Sequence, residues 1–305
     1  MFFRGLIKSI LFSNIFYGIC AIALCIETSY QQEILILHPL FYCIIFSTTI
    51  LYYTYAYINE NNEPSMHANE RSIWYFEKRK IFPFTQTFLF ILIIISFATL
   101  LKKKIIYFTF IDVKSWILLV VLLLLAVFYY GNSITGKGFY SLRKFGLFKP
   151  FLIGLIWAGT VSVIPVFFYD LTHKTNYVFQ PTTLFLATKN WLYISVLCIL
   201  FDLKDYATDH NVQLKTFIVR FGLRKTLFSV VLPMAIGSWS IFLSLAIMKY
   251  FPILRILFNS IPFALLIIVS YSMYQRKSIL YYLAIIDGLM LVKAIFGITS
   301  MLLTK

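Results

Sequence analysis

Apolar runs of near-bilayer length tile the chain from Ile10 to Leu303, which leaves little room for any fold but a polytopic membrane protein. Nine runs are legible: about Ile10 to Ile26, Leu40 to Ile58, Phe84 to Leu101, Trp116 to Tyr130, Phe151 to Tyr169, Leu184 to Phe201, Leu227 to Met248, Ile253 to Tyr274 and Ile279 to Leu303. An α-helix crosses the hydrocarbon core in about 20 residues. The expected fold is therefore all-α, with about nine transmembrane helices in one domain over residues 1–305. Because 60% of the residues are hydrophobic and only 13% charged, a soluble domain is excluded.

The residues between the runs carry the remaining information. A net charge of +15 would suit nucleic acid in a soluble protein, but here the basic residues stand between apolar spans. In that setting they set topology and attract anionic lipid, and no nucleic-acid partner is expected. With nine helices, 17 Lys and Arg fall on the side of the N-terminus and 9 on the other, which places the N-terminus in the cytoplasm of a bacterial-type membrane. Arg4 and Lys8 ahead of the first run resemble the charged start of a signal peptide. No small-x-small site follows, so that run is expected to be a retained helix. Glu27 to His38 reads as a short acidic loop. Cys20, Cys25, Cys43 and Cys198 all lie in apolar runs and fit no zinc spacing, so packing is their expected role.

Acidic residues are scarce and concentrated. Of 12, four lie between Glu60 and Glu77 and three between Asp202 and Asp209. The charge asymmetry puts both loops on the cytoplasmic side, where they can meet. Asp202, Asp205 and Asp209 stand at i, i+3 and i+7, on one face of a helix. Like charges that close repel, and a hydrocarbon border raises the cost of each. Such a cluster calls for a cation, and Mg²⁺ takes carboxylate and phosphate oxygens together. The other island, Asn59 to Arg71, would align Glu60, Glu63, His67 and Glu70, although Pro64 breaks or starts a helix there. Glu77 to Lys80 reads as a solvated end of the next span. Between the islands in sequence, Gly131 to Pro150 contains no acid. Its Arg143 and Lys149 suit phosphate contact, the first as a fork and the second as a point charge.

These residues resemble the UbiA-type intramembrane aromatic prenyltransferases. The segment Asp202-Leu-Lys-Asp205-Tyr-Ala-Thr-Asp209, then Lys215-Thr216, then Arg220-Phe-Gly222, is similar to that family's second region, D-x-x-D-x-x-x-D followed by K-T and R-x-G. In the first region the family has N-D-x-x-D-x-x-x-D, and this chain has Asn59-Glu60-x-x-Glu63-x-x-x-His67. The resemblance implies nine helices around a central cavity capped by the two acidic regions. It further implies an isoprenoid diphosphate held through Mg²⁺, with Asp202, Asp205 and Asp209 catalytic. Glu60, Glu63, Asp205 and Asp209 would be the metal ligands, and Asn59, Arg143, Lys149 and Lys215 would contact the substrate. The second partner would be a hydrophobic acceptor, either a quinone precursor or a lipid. Asp287 and Lys293 interrupt the last run, where an ionised side chain is costly unless it is paired. Their spacing of six keeps them off one face, so their partners are expected elsewhere.

Two function classes follow: an active Mg²⁺-dependent prenyltransferase, and a noncatalytic protein of the same fold that binds a lipid or quinone or serves as an assembly partner. A transporter is the weaker third reading, since no Gly/Pro-broken pair of spans recurs in two halves.

Overall fold

A computed structural model of the chain describes residues 2–34, 37–58, 70–102, 111–130, 145–204, 206, 211, 213–275 and 277–304. The described residues form helices and no strand. In lipid every backbone polar group needs an internal partner, and a helix provides those partners within the segment.

The elements are α1 (Phe2–Phe12), α2 (Ile15–Gln31), α3 (Pro39–Ile58), α4 (Glu70–Glu77), α5 (Phe82–Lys102) and α6 (Val113–Tyr130). There follow α7 (Lys149–His173), α8 (Pro181–Asp202), α9 (Leu223–Met248), α10 (Ile253–Ser272) and α11 (Ile279–Leu303). Six of these, α5 and α7 to α11, are long and apolar enough to cross a membrane. Three of the expected runs fall instead on α2, α3 and α6, of which α2 and α6 are shorter apolar helices. Three long helices contain a π-turn, over Gly159–Val163 in α7, Leu227–Val231 in α9 and Tyr282–Ile286 in α11.

Two boundaries differ from the sequence reading. The first apolar helix begins at Ile15, because Asn14 takes a left-handed conformation (φ 64°) that separates it from α1. It also runs on to Gln31, so Glu27 is part of a helix and is 1% exposed, not in an acidic loop. The expectation for Glu77 to Lys80 agrees with the structure, where all four are exposed. All four cysteines are free and buried or half-buried.

The packing order follows from which faces are small or apolar. α2 packs against α3 and α11, α11 against α10, α10 against α9, α9 against α8, and α8 against α7. The middle of α7 returns to α2, which closes a ring, while α5 lies outside on α3 and α6 outside on α7. α5 accordingly leaves Phe84, Phe88, Ile91 and Ile95 exposed, as expected of a helix that faces acyl chains. The tightest approach is between α7 and α8 at Gly154. A Cβ there would collide with Ser195 Oγ and lie 3.0 Å from the Trp191 carbonyl oxygen.

Gly154→Ala should therefore lower stability in detergent by about 1–3 kcal/mol through overpacking. Gly237→Ala is the control, since a Cβ there meets only Leu192 Cδ1 at 3.8 Å. Thermal unfolding of the two purified variants checks the contrast, and the control should be neutral or gain up to about 1 kcal/mol.

Candidate functional site

The described residues that border the two islands lie at one end of the bundle, where local chemistry positions their side chains. Asn14, fully buried at the α1–α2 corner, donates from Nδ2 to Thr54 Oγ1 at 3.0 Å and to Tyr75 OH at 2.9 Å. Its Oδ1 accepts from Arg71 Nη2. Arg71 also donates to the Phe12 carbonyl from Nε at 3.3 Å and Nη2 at 3.2 Å, placing a cation on the C-terminus of α1. Above the guanidinium lies the Tyr57 ring, 4.6 Å away, and Tyr57 in turn stacks on Tyr75. Burial pushes the Tyr75 hydroxyl up to about 12, with Arg71 pulling the other way. The flanks of the first island, Tyr57 and Arg71, are thus fastened to the start of the chain.

The same cluster reaches the last helix. Tyr17 donates to Asp287 Oδ2 at 2.5 Å and stacks on Tyr53 at 4.6 Å, and Tyr53 accepts from Trp157 Nε1 at 2.5 Å. Asp287 ends the π-turn of α11 and lies within electrostatic range of both Arg71 and Lys204. Lys204 belongs to the second island and Arg71 borders the first. Among the described residues, one cation from each border therefore acts on the same buried carboxylate.

Around the second island, Lys149 Nζ meets Asp202 Oδ1 at 2.6 Å, joining the start of α7 to the end of α8. Both side chains are largely buried. Lys149 stands where the chain re-enters a helix, with Pro150 next to it, as its position in sequence suggests. The turn before it packs against the segment after the island, where a Cβ on Gly146 would lie 2.6 Å from the Lys215 carbonyl. Lys215 itself is exposed, and the adjacent Thr216 hydroxyl is buried without a hydrogen-bond partner among the described residues. Asp202, Lys149 and Lys215 are therefore brought to one end of the bundle. Asn59, Glu60, Glu63, His67, Arg143, Asp205 and Asp209 lie outside the described residues. Among the described residues no group of three His, Cys, Asp or Glu side chains is placed to hold a metal.

Deeper in the bundle is a second polar cluster that sequence reasoning missed. Glu27 on α2 takes Lys293 Nζ of α11 on Oε2 at 2.5 Å and faces Lys189 Nζ of α8 from Oε1 at 3.6 Å. Gln31 donates to Glu27 Oε1 and to Asn259 Oδ1 of α10, and accepts from Lys189 at 2.7 Å. All three charged groups are at most 3% exposed. The cations also lie 5.8–5.9 Å from the rings of Tyr193 and Phe242. Lys293 does have its partner on another helix, as its position predicts. Lys189 inside the Leu184 to Phe201 run and Glu27 directly after Ile26 were the available signal.

Removing Glu27 leaves two buried cations uncompensated, so Glu27→Gln should cost about 3–5 kcal/mol of stability. Adding Lys189→Met and Lys293→Met to that variant should recover most of the loss, because an apolar replacement of a whole buried network is often nearly neutral. Unfolding midpoints in detergent of the single and triple variants test this.

No family model, no curated protein and no solved structure matches this chain.

Proposed function

We propose that the chain is a divergent UbiA-type membrane prenyltransferase. It would transfer an isoprenoid group from an isoprenyl diphosphate to an aromatic quinone precursor or a lipid acceptor. The observation that carries the reading is the convergence of Lys149, Asp202 and the Lys215–Thr216 segment at the end where the described borders of both acidic islands lie. Basic side chains on α7 and after α8 are suited to neutralise a diphosphate leaving group. Lys149 is set against Asp202, which fixes its ammonium at the bundle rim and not in the surrounding headgroups. Glu60, Glu63, Asp205 and Asp209 are the proposed metal ligands, and their hard oxygen donors suit Mg²⁺. When bound, Mg²⁺ would supply charge neutralisation on the departing diphosphate. Nine spans, with the N-terminus and both islands cytoplasmic, complete the proposal.

A second reading has its own support. Lys149 and Asp202 already neutralise each other as an ion pair, and the first island carries Glu60, Glu63 and His67 where the resembled family has aspartates. Both features suit a noncatalytic protein of the same architecture that binds a lipid or quinone or serves as an assembly partner.

Purified protein incubated with Mg²⁺, labelled isoprenyl diphosphates and a panel of quinone-precursor and lipid acceptors separates the two. The enzyme reading expects prenylated product. It also expects Asp205→Asn and Asp209→Asn to weaken Mg²⁺-dependent diphosphate binding at least tenfold, about 1.4 kcal/mol. Glu60→Gln and Glu63→Gln should lower Mg²⁺ affinity and transfer, while Glu77→Gln at the exposed end of α4 should leave both unchanged. Absence of product together with unchanged diphosphate binding in a folded Asp205→Asn/Asp209→Asn variant would establish the noncatalytic reading. Reporter fusions in the Asp202 loop test its cytoplasmic placement.

A further inference from the structure

At the end of the bundle that carries Asp202, α9 and α10 splay apart into an apolar groove of about 300 Å³. One wall is the π-turn of α9, with Leu227, Phe228 and Leu232, and the other is the last turns of α10, with Ile268, Tyr271 and Tyr274. The groove opens outward, not into the ring: Phe228 is 46% exposed, Ile268 62% and Tyr271 68%. Its lining is almost entirely hydrocarbon. Besides the phenols of Tyr271 and Tyr274, Ser270 brings a hydroxyl to the lining, and that group is already bonded to the Leu266 carbonyl at 2.6 Å. Across the mouth the Phe228 and Tyr274 rings stand 6.3 Å apart, with Tyr271 5.9 Å from Tyr274. Tyrosines with an apolar body and a polar tip belong at the level of lipid headgroups.

Charge defines the rim. Arg224 and Lys225, both exposed, precede Phe228 by four and three residues, so they stand one helical turn above it on the same side of α9. No Asp or Glu occurs in the sequence between Asp209 and Asp287, and Lys277 follows the opposite wall. An apolar slot with the cations Arg224 and Lys225 at its rim is complementary to a molecule with an acyl chain below and a negative headgroup above. A zwitterionic lipid would satisfy the slot and not the rim.

We infer that the α9–α10 groove is a binding site for an anionic phospholipid, with its acyl chain between Phe228 and Tyr271 and its phosphate against Arg224 and Lys225. The site does not depend on the prenyltransferase reading, since none of its residues belongs to the acidic islands. It gives this protein a reason to prefer membranes or leaflets rich in anionic lipid, beyond the diffuse attraction of its net charge.

The test uses full-length protein in nanodiscs doped with photoactivatable phosphatidylglycerol or phosphatidylcholine that carry a diazirine on the acyl chain. Crosslinked peptides are quantified by mass spectrometry. Phosphatidylglycerol should label the Leu227–Leu232 and Ile267–Tyr274 peptides at least about fivefold more than phosphatidylcholine, given the attraction of each interfacial basic side chain. Arg224→Gln/Lys225→Gln should bring that ratio to about one. Lys249→Gln, an exposed cation at the opposite end of α9, should leave it unchanged. Both sets of substitutions are on the surface, and unaltered thermal unfolding verifies the fold. Equal labelling by the two lipids in the wild type would overturn the site, as would a preference that survives the double substitution. Suppression of labelling by soluble glycerol phosphate would reassign the rim to a free phosphate compound and overturn the lipid assignment.

Discussion

Glu27, held between Lys189 and Lys293, is the contact on which the rest of the bundle depends. It connects α2, α8 and α11, and Gln31 extends the connection to Asn259 on α10. Four helices from both halves of the chain are thereby fixed in mutual register. Apolar packing alone would not do this, since lipid tails are as apolar as Leu and helices can slide against one another at little cost. A buried ion pair contributes little net stability against an apolar replacement, but it penalises every arrangement that separates the partners. Its contribution here is register. Asn259 also donates to Ser300 at 2.6 Å, which ties α10 directly to α11.

A second polar layer lies nearer the acidic islands. Lys293 stands six residues beyond Asp287 along α11, about 9 Å deeper. In this shallower layer Arg71 and Tyr75 donate to the Phe12 carbonyl, Asn14 bonds to both of those side chains, and Tyr17 anchors Asp287. Every participant carries a hydrogen-bond partner, the condition under which polar groups are tolerated away from water. The consequence for function is positional. α4, the start of α7, the end of α8 and the start of α11 are held around one end, so loops that emerge there are presented together.

Charge is distributed differently on the outside. The core cations are paired to Glu27, but the rim of the α9–α10 groove carries cations with no acid nearby in sequence. Paired charge in the interior sets register, and unpaired charge at the surface is left for the solvent or the membrane. The same residue types serve both ends because the Lys and Arg stems are long enough to lie along apolar surface while the head group finds its partner.

The amino-acid sequence by itself determined the class. Runs of apolar residues near bilayer length can satisfy their backbones in lipid only by closing hydrogen bonds within the segment, and the helices appear where those runs stand. It also indicated that Lys293 and Asp287 needed partners on other helices, and that Lys149 sits where the chain re-enters the bundle. The sequence could not supply the partners. Lys293 pairs with a residue 266 positions away, Tyr17 reaches Asp287 across 270, and Lys189 meets Gln31 across 158. No local period encodes such distances. Glu27 was read as loop because a lone carboxylate at the end of an apolar run has the same local signature whether it meets water or a buried ammonium. Only the packing of α2 against α8 and α11 decided which it was, because the cost of burying that charge is offset solely by cations that tertiary structure brings to it.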